Sequence, residues 1–153
     1  MRFLDLTKLM GGDSMSLSCA ISKNGYSYQT RALIDSGANG LAFIDTTLLT
    51  LLFPMFKPRF IALETPIEVK SYNGTRGSAI THFVYLNLMV DYRQQSYLPF
   101  MITDLGSYSV ILGRIWLAET RAKLDCFNRC LEWPLERPPT LSLSKNIELT
   151  RQS

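Results

Sequence analysis

Asp35 stands inside "ALIDSGANGLAFID", residues 32–45, where a carboxylate followed by Ser36, Gly37 and Ala38 interrupts an otherwise apolar stretch. A buried, unpartnered carboxylate is costly, so a structural role needs a hydrogen-bond donor for it and a chemical role needs a reaction. Other groups that could do chemistry are few. Ser36 has no G-x-S-x-G elbow around it, and the single histidine, His82, falls in a β-rich run with no pattern linking it to Ser36. A cysteine nucleophile would need that same histidine as its base. Cys126 and Cys130 are four residues apart, but neither Cys19 nor His82 completes a zinc ligand set with them. Reduced thiols are the expectation instead. No G-x-x-x-x-G-K-[ST] or G-x-G-x-x-G phosphate cradle is present. Carboxylate chemistry is what remains, with no metal and no cofactor expected. Its plain alternative is an aspartate in a turn, accepting hydrogen bonds from its own following N–H groups.

The elements around Asp35 follow from period and punctuation. Met15, Leu17, Cys19 and Ile21 alternate with mostly serine, which predicts a half-buried strand. Asn24-Gly25 is a strong hairpin signal, and Tyr28–Ile34 reads as the returning strand that delivers the chain to Asp35. After a short apolar segment, Leu41–Ile44, Asp45 stands as an N-cap before "TTLLTLLF", a short helix or turn that Pro54 is expected to end. "MFKPRFIALETPIEV" reads as a loop entering a strand. Asn73-Gly74 and Gly77 form a flexible tip between extended arms, the second running from Ile80 to Val90. "QSYLPFMITD" and "SVILG" are further strands separated by an "LGSY" turn, and Gly113 marks the bend into a helical "RIWLAETRA". "KLD" and "CLEW" close the pattern around a Cys126–Arg129 turn. The proline-rich text beyond Trp133 reads as a tail, giving an N-terminal segment 1–13, a domain 14–133 and a linker 134–153.

Composition excludes several classes. At 153 residues, 46% hydrophobic and 19% charged, the chain is long and apolar enough for one packed domain. The net charge of +3 is not concentrated in any run of Lys or Arg, which argues against a nucleic-acid partner. No stretch reaches the roughly 18 apolar residues of a membrane span, and Asp5 and Lys8 interrupt any secretory h-region.

"LIDSGA" (Leu33–Ala38) resembles the active-site segment of retropepsin-like aspartic proteases, apolar-apolar-Asp-(Thr or Ser)-Gly-Ala. "SVILGRIWL" (Ser109–Leu117) resembles that family's second signature, apolar-apolar-Gly-Arg at the start of its C-terminal helix. Between them the glycine-tipped hairpin stands at the position of the family's flap. The ordered features span residues 14–133. "PIEVKSYNG", "ITHFVYLNL", "MITDLGSYSVILG" and "IWL" further resemble polyproteins of gypsy-type LTR retrotransposons, particularly fungal ones. The fold so implied is all-β: a closed β-barrel or sandwich with a flap hairpin and one short C-terminal helix.

The resemblance also implies a mechanism and roles. Aspartic proteolysis needs two carboxylates sharing a proton, and this chain holds one D-[ST]-G. The dyad then requires an obligate homodimer with one Asp35 from each protomer at a two-fold axis. Ser36 would hydrogen-bond across the dimer, Gly37 would allow close approach, and Ala38 and Asn39 would line the floor. Tyr72, Asn73 and Gly74 would close over an extended peptide or polyprotein segment, excluding water. Leu105 to Val110, with Ser109 and Val110 at its end, would wall a side-chain pocket. Arg114 would support the site by hydrogen bonding, its alternative being a surface residue at a helix start. Relatives often carry an acid where this chain has Asn39, so that ion pair is absent or replaced by a neutral hydrogen bond. The implied setting is cytoplasmic, including retroelement virus-like particles. A domesticated or decayed module that dimerises or binds protein without catalysis is the other reading, against which the intact Asp35-Ser36-Gly37 speaks.

Overall fold

A computed structural model describes residues 4–5, 15–70 and 79–135. Its first element is a two-residue strand, β1 (Leu4–Asp5), followed by the hairpin β2 (Met15–Lys23) and β3 (Tyr26–Ile34). Asn24 (φ 53°) and Gly25 (φ 83°) both take the left-handed conformation that a two-residue hairpin turn demands. The turn fixes a register running from Lys23↔Tyr26 to Met15↔Ile34, which turns Met15, Cys19 and Ile21 into the core.

β4 (Ala42–Asp45) is fully buried up to its last residue and leads straight into α1 (Thr46–Phe56). Asp45 caps this helix, accepting from the Leu48 N–H at 3.2 Å. Burial of Leu48, Leu49, Leu52 and Phe56 outweighs the poor propensity of its threonines. Pro54 does not end the helix, as its sequence suggested; it lies inside the last turn. There it forfeits one hydrogen bond, to the carbonyl four residues back, and the helix closes at Lys57, whose N–H bonds the Phe53 carbonyl at 2.9 Å.

β5 (Ile61–Ile67) and β6 (Val69–Lys70) follow, and β7 (Ile80–Val90) pairs antiparallel with β5. β8 (Arg93–Thr103) follows through a turn of Asp91 (φ 50°) and Tyr92 (φ 62°), a two-residue hairpin with no glycine or asparagine to announce it. Then come β9 (Val110–Leu112), α2 (Arg114–Thr120), β10 (Lys123–Asp125) and β11 (Cys130–Glu132). In the last hairpin the Asp125 carboxylate accepts from the Asn128 backbone at 3.0 Å and side chain at 2.8 Å. Those donors hold its carboxyl below the usual aspartate range.

The strands pair in the order β2-β3-β9-β4-β8-β7, and β7 pairs back onto β2 through Ala20↔Met89, Ile21↔Leu88 and Ser22↔Asn87. The result is a closed six-stranded barrel with β5 appended to β7. β9 is inserted between two strands that precede it, parallel to β3 and antiparallel to β4. Inside lies an apolar core that includes Ile21, Ile44, Phe100 and Leu112. Trp116 of α2 seals one end, 1% exposed, its indole N–H on Gln95 Oε1 at 2.7 Å and its ring edge-on to Trp133. A second, separate cluster holds Leu33, Ala38, Phe43, Val69, Ile80, Leu105 and Ile111. Among the described residues no helix is long and apolar enough to cross a membrane.

Cys19 is buried in β2, whereas Cys126 and Cys130 are exposed. Burial pushes the Cys19 thiol from 9.0 up to about 11, against a smaller downward pull from Arg31. Its folded pKa is the higher one, so its contribution to stability is complete below pH 9.0 and is lost as pH rises through about 11. A colorimetric thiol titration at neutral pH should therefore register Cys126 and Cys130 in the native protein, and Cys19 only after denaturant is added.

Candidate active site

Asp35 is the first residue beyond β3, and its position is set by the neighbouring strand. Ala32, Leu33 and Ile34 run parallel to Val110, Ile111 and Leu112, and the Asp35 N–H continues that ladder to the Leu112 carbonyl at 3.0 Å. The chain then turns: the Gly37 N–H donates to Asp35 Oδ1 at 2.8 Å and the Ala38 N–H to the Asp35 carbonyl at 3.2 Å. This is the local turn that a D-S-G tripeptide favours, but it occupies only one carboxylate oxygen. Asp35 Oδ2 is buried and has no hydrogen-bond partner. The residue is 6% exposed, yet Ser36 and Gly37 beside it are at the surface.

The far side of the loop is held by α2. The first N–H groups of a helix have no acceptor within it and must find one elsewhere. Here the Gly113 N–H donates to the Leu41 carbonyl at 3.0 Å, Arg114 to Ala38 at 2.9 Å and Ile115 to Gly40 at 3.0 Å. No side chain caps this helix, because the loop carbonyls serve instead. Contact is so close that a Cβ on Gly113 would lie 2.5 Å from the Gly40 carbonyl oxygen and 2.8 Å from that of Ala38. The loop is propped from below by Phe43, whose ring occupies the space a Cβ on Gly40 would need.

Ala38 joins the second apolar cluster, which brings Leu33, Phe43, Leu105 and Ile111 beside the aspartate loop, with Tyr108 packed against it. The Leu105 end is tied down by a residue read from sequence only as a helix cap. Asp45 Oδ1 accepts the Leu105 N–H at 2.9 Å while Oδ2 caps α1, and the Asp45 N–H donates to the Ser109 carbonyl at 3.0 Å. One carboxylate thus joins the loop 105–109 to β4. Its position after four apolar residues signalled the cap, but nothing local signalled a partner sixty residues away.

The sequence-derived residues are distributed as follows. Asp35, Ser36, Gly37, Ala38 and Asn39 form one loop, with Asn39 exposed. Ser109 meets the site's edge through its carbonyl. Val110 is a correction: it is 0% exposed and packs in the barrel core, and the alternation of a strand makes Ile111 the residue beside Ala38. Arg114 reaches the loop through its backbone N–H, and its side chain is exposed. Tyr72, Asn73 and Gly74 lie outside the described residues. His82 is exposed on β7 with Nδ1 2.8 Å from Thr81 Oγ1, on a part of the surface shared with Thr46, Phe60 and Ile102. Among the described residues no group of three or more His, Cys, Asp or Glu could hold a metal ion.

The PEG10/RTL1 protease domain matches residues 31–134, from the approach to Asp35 to just beyond the Trp133 that packs on α2. The chain belongs to that protease-domain family. A PEG10/RTL1-type domain with this barrel has the retropepsin-like fold, and a solved structure is similar: the retroviral protease-like domain of Ddi1 from Leishmania major. The two share 14% identity and a TM-score of 0.55 over 89% of this chain and 98% of that one, a likeness of fold alone. No curated protein sequence matches the chain.

In a domain of this family, the contact between α2 and the loop should be intolerant of one methyl group. Gly113→Ala should lower stability by about 1–3 kcal/mol, the usual cost of overpacking a tight contact, read as a shift in the urea midpoint at constant slope. Ala118→Gly, at an exposed position of the same helix, should cost about 1 kcal/mol or less by the same measurement.

Proposed function

We propose that the chain is an aspartic endopeptidase that works as a homodimer, each protomer contributing one Asp35. The observation that carries this reading is the state of that carboxylate: Oδ1 is occupied by the Gly37 N–H, Oδ2 is buried and unpartnered, and the adjoining Ser36 and Gly37 are exposed. A buried carboxylate oxygen without a donor is unfavourable. A protonated carboxyl of the same kind, brought to it by a second copy across a two-fold axis, satisfies it with a shared proton.

Such a pair splits a peptide bond without a covalent intermediate. The ionised carboxylate takes a proton from a water molecule, whose oxygen bonds to the carbonyl carbon, while the other carboxyl gives its proton to the carbonyl oxygen. Proton transfer to nitrogen then breaks the C–N bond, leaving a new carboxyl and a new amine. Ser36 would lock the two loops together, and Leu33, Ala38, Leu105 and Ile111 supply apolar walls suited to apolar residues flanking the cleaved bond. The hairpin carried by β5 and β7 would act as the flap over an extended peptide. The retroelement-like sequence texture supports a Gag-Pol-type polyprotein of a gypsy-type element as substrate, in the cytoplasm or in assembled particles.

The test uses a Gag-like polyprotein in mildly acid buffer. Asp35→Asn should lower cleavage by at least about a hundredfold, the scale of losing an acid–base group, with the melting curve retained. Activity per protomer should fall on dilution in step with the dimer fraction measured by sedimentation. A wild-type chain that is dimeric but cuts nothing is instead a non-catalytic binding module.

A further inference from the structure

Closing the barrel consumes strand edges. Each of its six strands has a neighbour on both sides, so backbone groups able to receive another chain are confined to a few places among the described residues. β6 is one of them. The last β5–β7 pair is Ile67↔Ile80, and Val69–Lys70 beyond it joins neither strand. β6 also borders the site: Val69, 4% exposed, packs in the same cluster as Ala38, Leu33 and Ile111. An extended peptide offered to Asp35 needs backbone partners, and a strand edge beside the aspartate loop supplies them. That edge is already taken. β1 lies on it in parallel, Leu4 opposite Val69 and Asp5 opposite Lys70.

We infer that β6 is a docking edge for an extended peptide, and that the Leu4–Asp5 strand is its built-in occupant, which an incoming peptide must displace. The inference deepens the proteolytic reading by naming how the same site is regulated. Two residue pairs make a weak ladder, since even a complete two-stranded ribbon is marginal in water. The occupant is therefore exchangeable, and it dampens binding without abolishing it.

The test is binding, so that it stands apart from cleavage. Full-length Asp35→Asn protein is titrated against a fluorescein-labelled eight-residue peptide with apolar residues at its centre, followed by anisotropy. Adding Asp5→Pro, which removes a backbone donor and disfavours the strand, should tighten binding about fivefold or more, because the competent state no longer competes with β1. Asp5→Ala, which keeps the backbone, should leave affinity unchanged. A synthetic peptide of residues 1–10 should compete with the probe. Unchanged or weakened binding in folded Asp5→Pro, or no probe binding by any variant, overturns the inference and makes β1 a brace. Should Asp5→Pro fail to fold, hydrogen exchange on the Asp35→Asn protein decides. Saturating probe should deprotect residues 4–5 while 69–70 stay protected, and unchanged exchange at 4–5 overturns the inference. Loss of cleavage in the preceding test leaves these readouts intact.

Discussion

Three backbone N–H groups at the start of α2 have no acceptor in their own helix, and three carbonyls of the aspartate loop are where they go. The rest of the site depends on that exchange. It replaces the side-chain cap that α2 lacks, and it holds the loop at Ala38, Gly40 and Leu41, where β9 holds it at Asp35. Gly113 makes the approach possible, and Phe43 fills the space beneath Gly40, so the loop is pressed between a helix end and an aromatic ring. The remaining polar anchors of the site are the Asp35 N–H on the Leu112 carbonyl and the bonds of Asp45 to Leu105 and Ser109. Together with the β3–β9 ladder, which ends in the bond from the Asp35 N–H to the Leu112 carbonyl, the latch ties the two sequence signatures to each other, and the close approach it needs explains the glycine of the second signature in physical terms.

Asp35 is consequently rigid on one side and unsatisfied on the other. Its N–H is on Leu112, its carbonyl on Ala38 and its Oδ1 on Gly37, which leaves Oδ2 as the odd atom in a buried position. A turn aspartate with a purely structural role would spread both oxygens over donors, as Asp45 and Asp125 do. The contrast within one chain separates the aspartates that hold loops from the one kept in reserve, and in the proposed dimer the reserve is met by a second copy.

Much of this was legible in the sequence because the signals were local. The alternation from Met15 and the Asn24-Gly25 turn gave β2 and β3, the β-rich run from Ile80 to Val90 is β7 residue for residue, and Gly113 marks the bend into α2. What escaped was set by tertiary context. Asp91-Tyr92 turns the chain in left-handed conformations that neither residue advertises, and Pro54 is absorbed by a helix whose buried leucines hold it together. The insertion of β9 between β3 and β4, the offset that turns Ile111 rather than Val110 toward Ala38, and the second bond of Asp45 all pair residues far apart in sequence. Periodicity says which face of a strand is apolar, but β9 is apolar on both faces and gave no direction.

The place of β9 also dictates a timetable. β3 and β4 lie on either side of it, and their hydrogen bonds at Ala32–Ile34 and Ala42–Ile44 wait for residues 110–112. The latch waits longer still, until Ile115 is present. Contacts of such separation are slow to form, since a long loop must close before they give any return. As the chain emerges from a ribosome, the early hairpin and α1 can form while the aspartate loop is still without its acceptors and donors. The site is assembled from the first and last thirds of the domain and comes into being late, after the barrel's other strands have been synthesised.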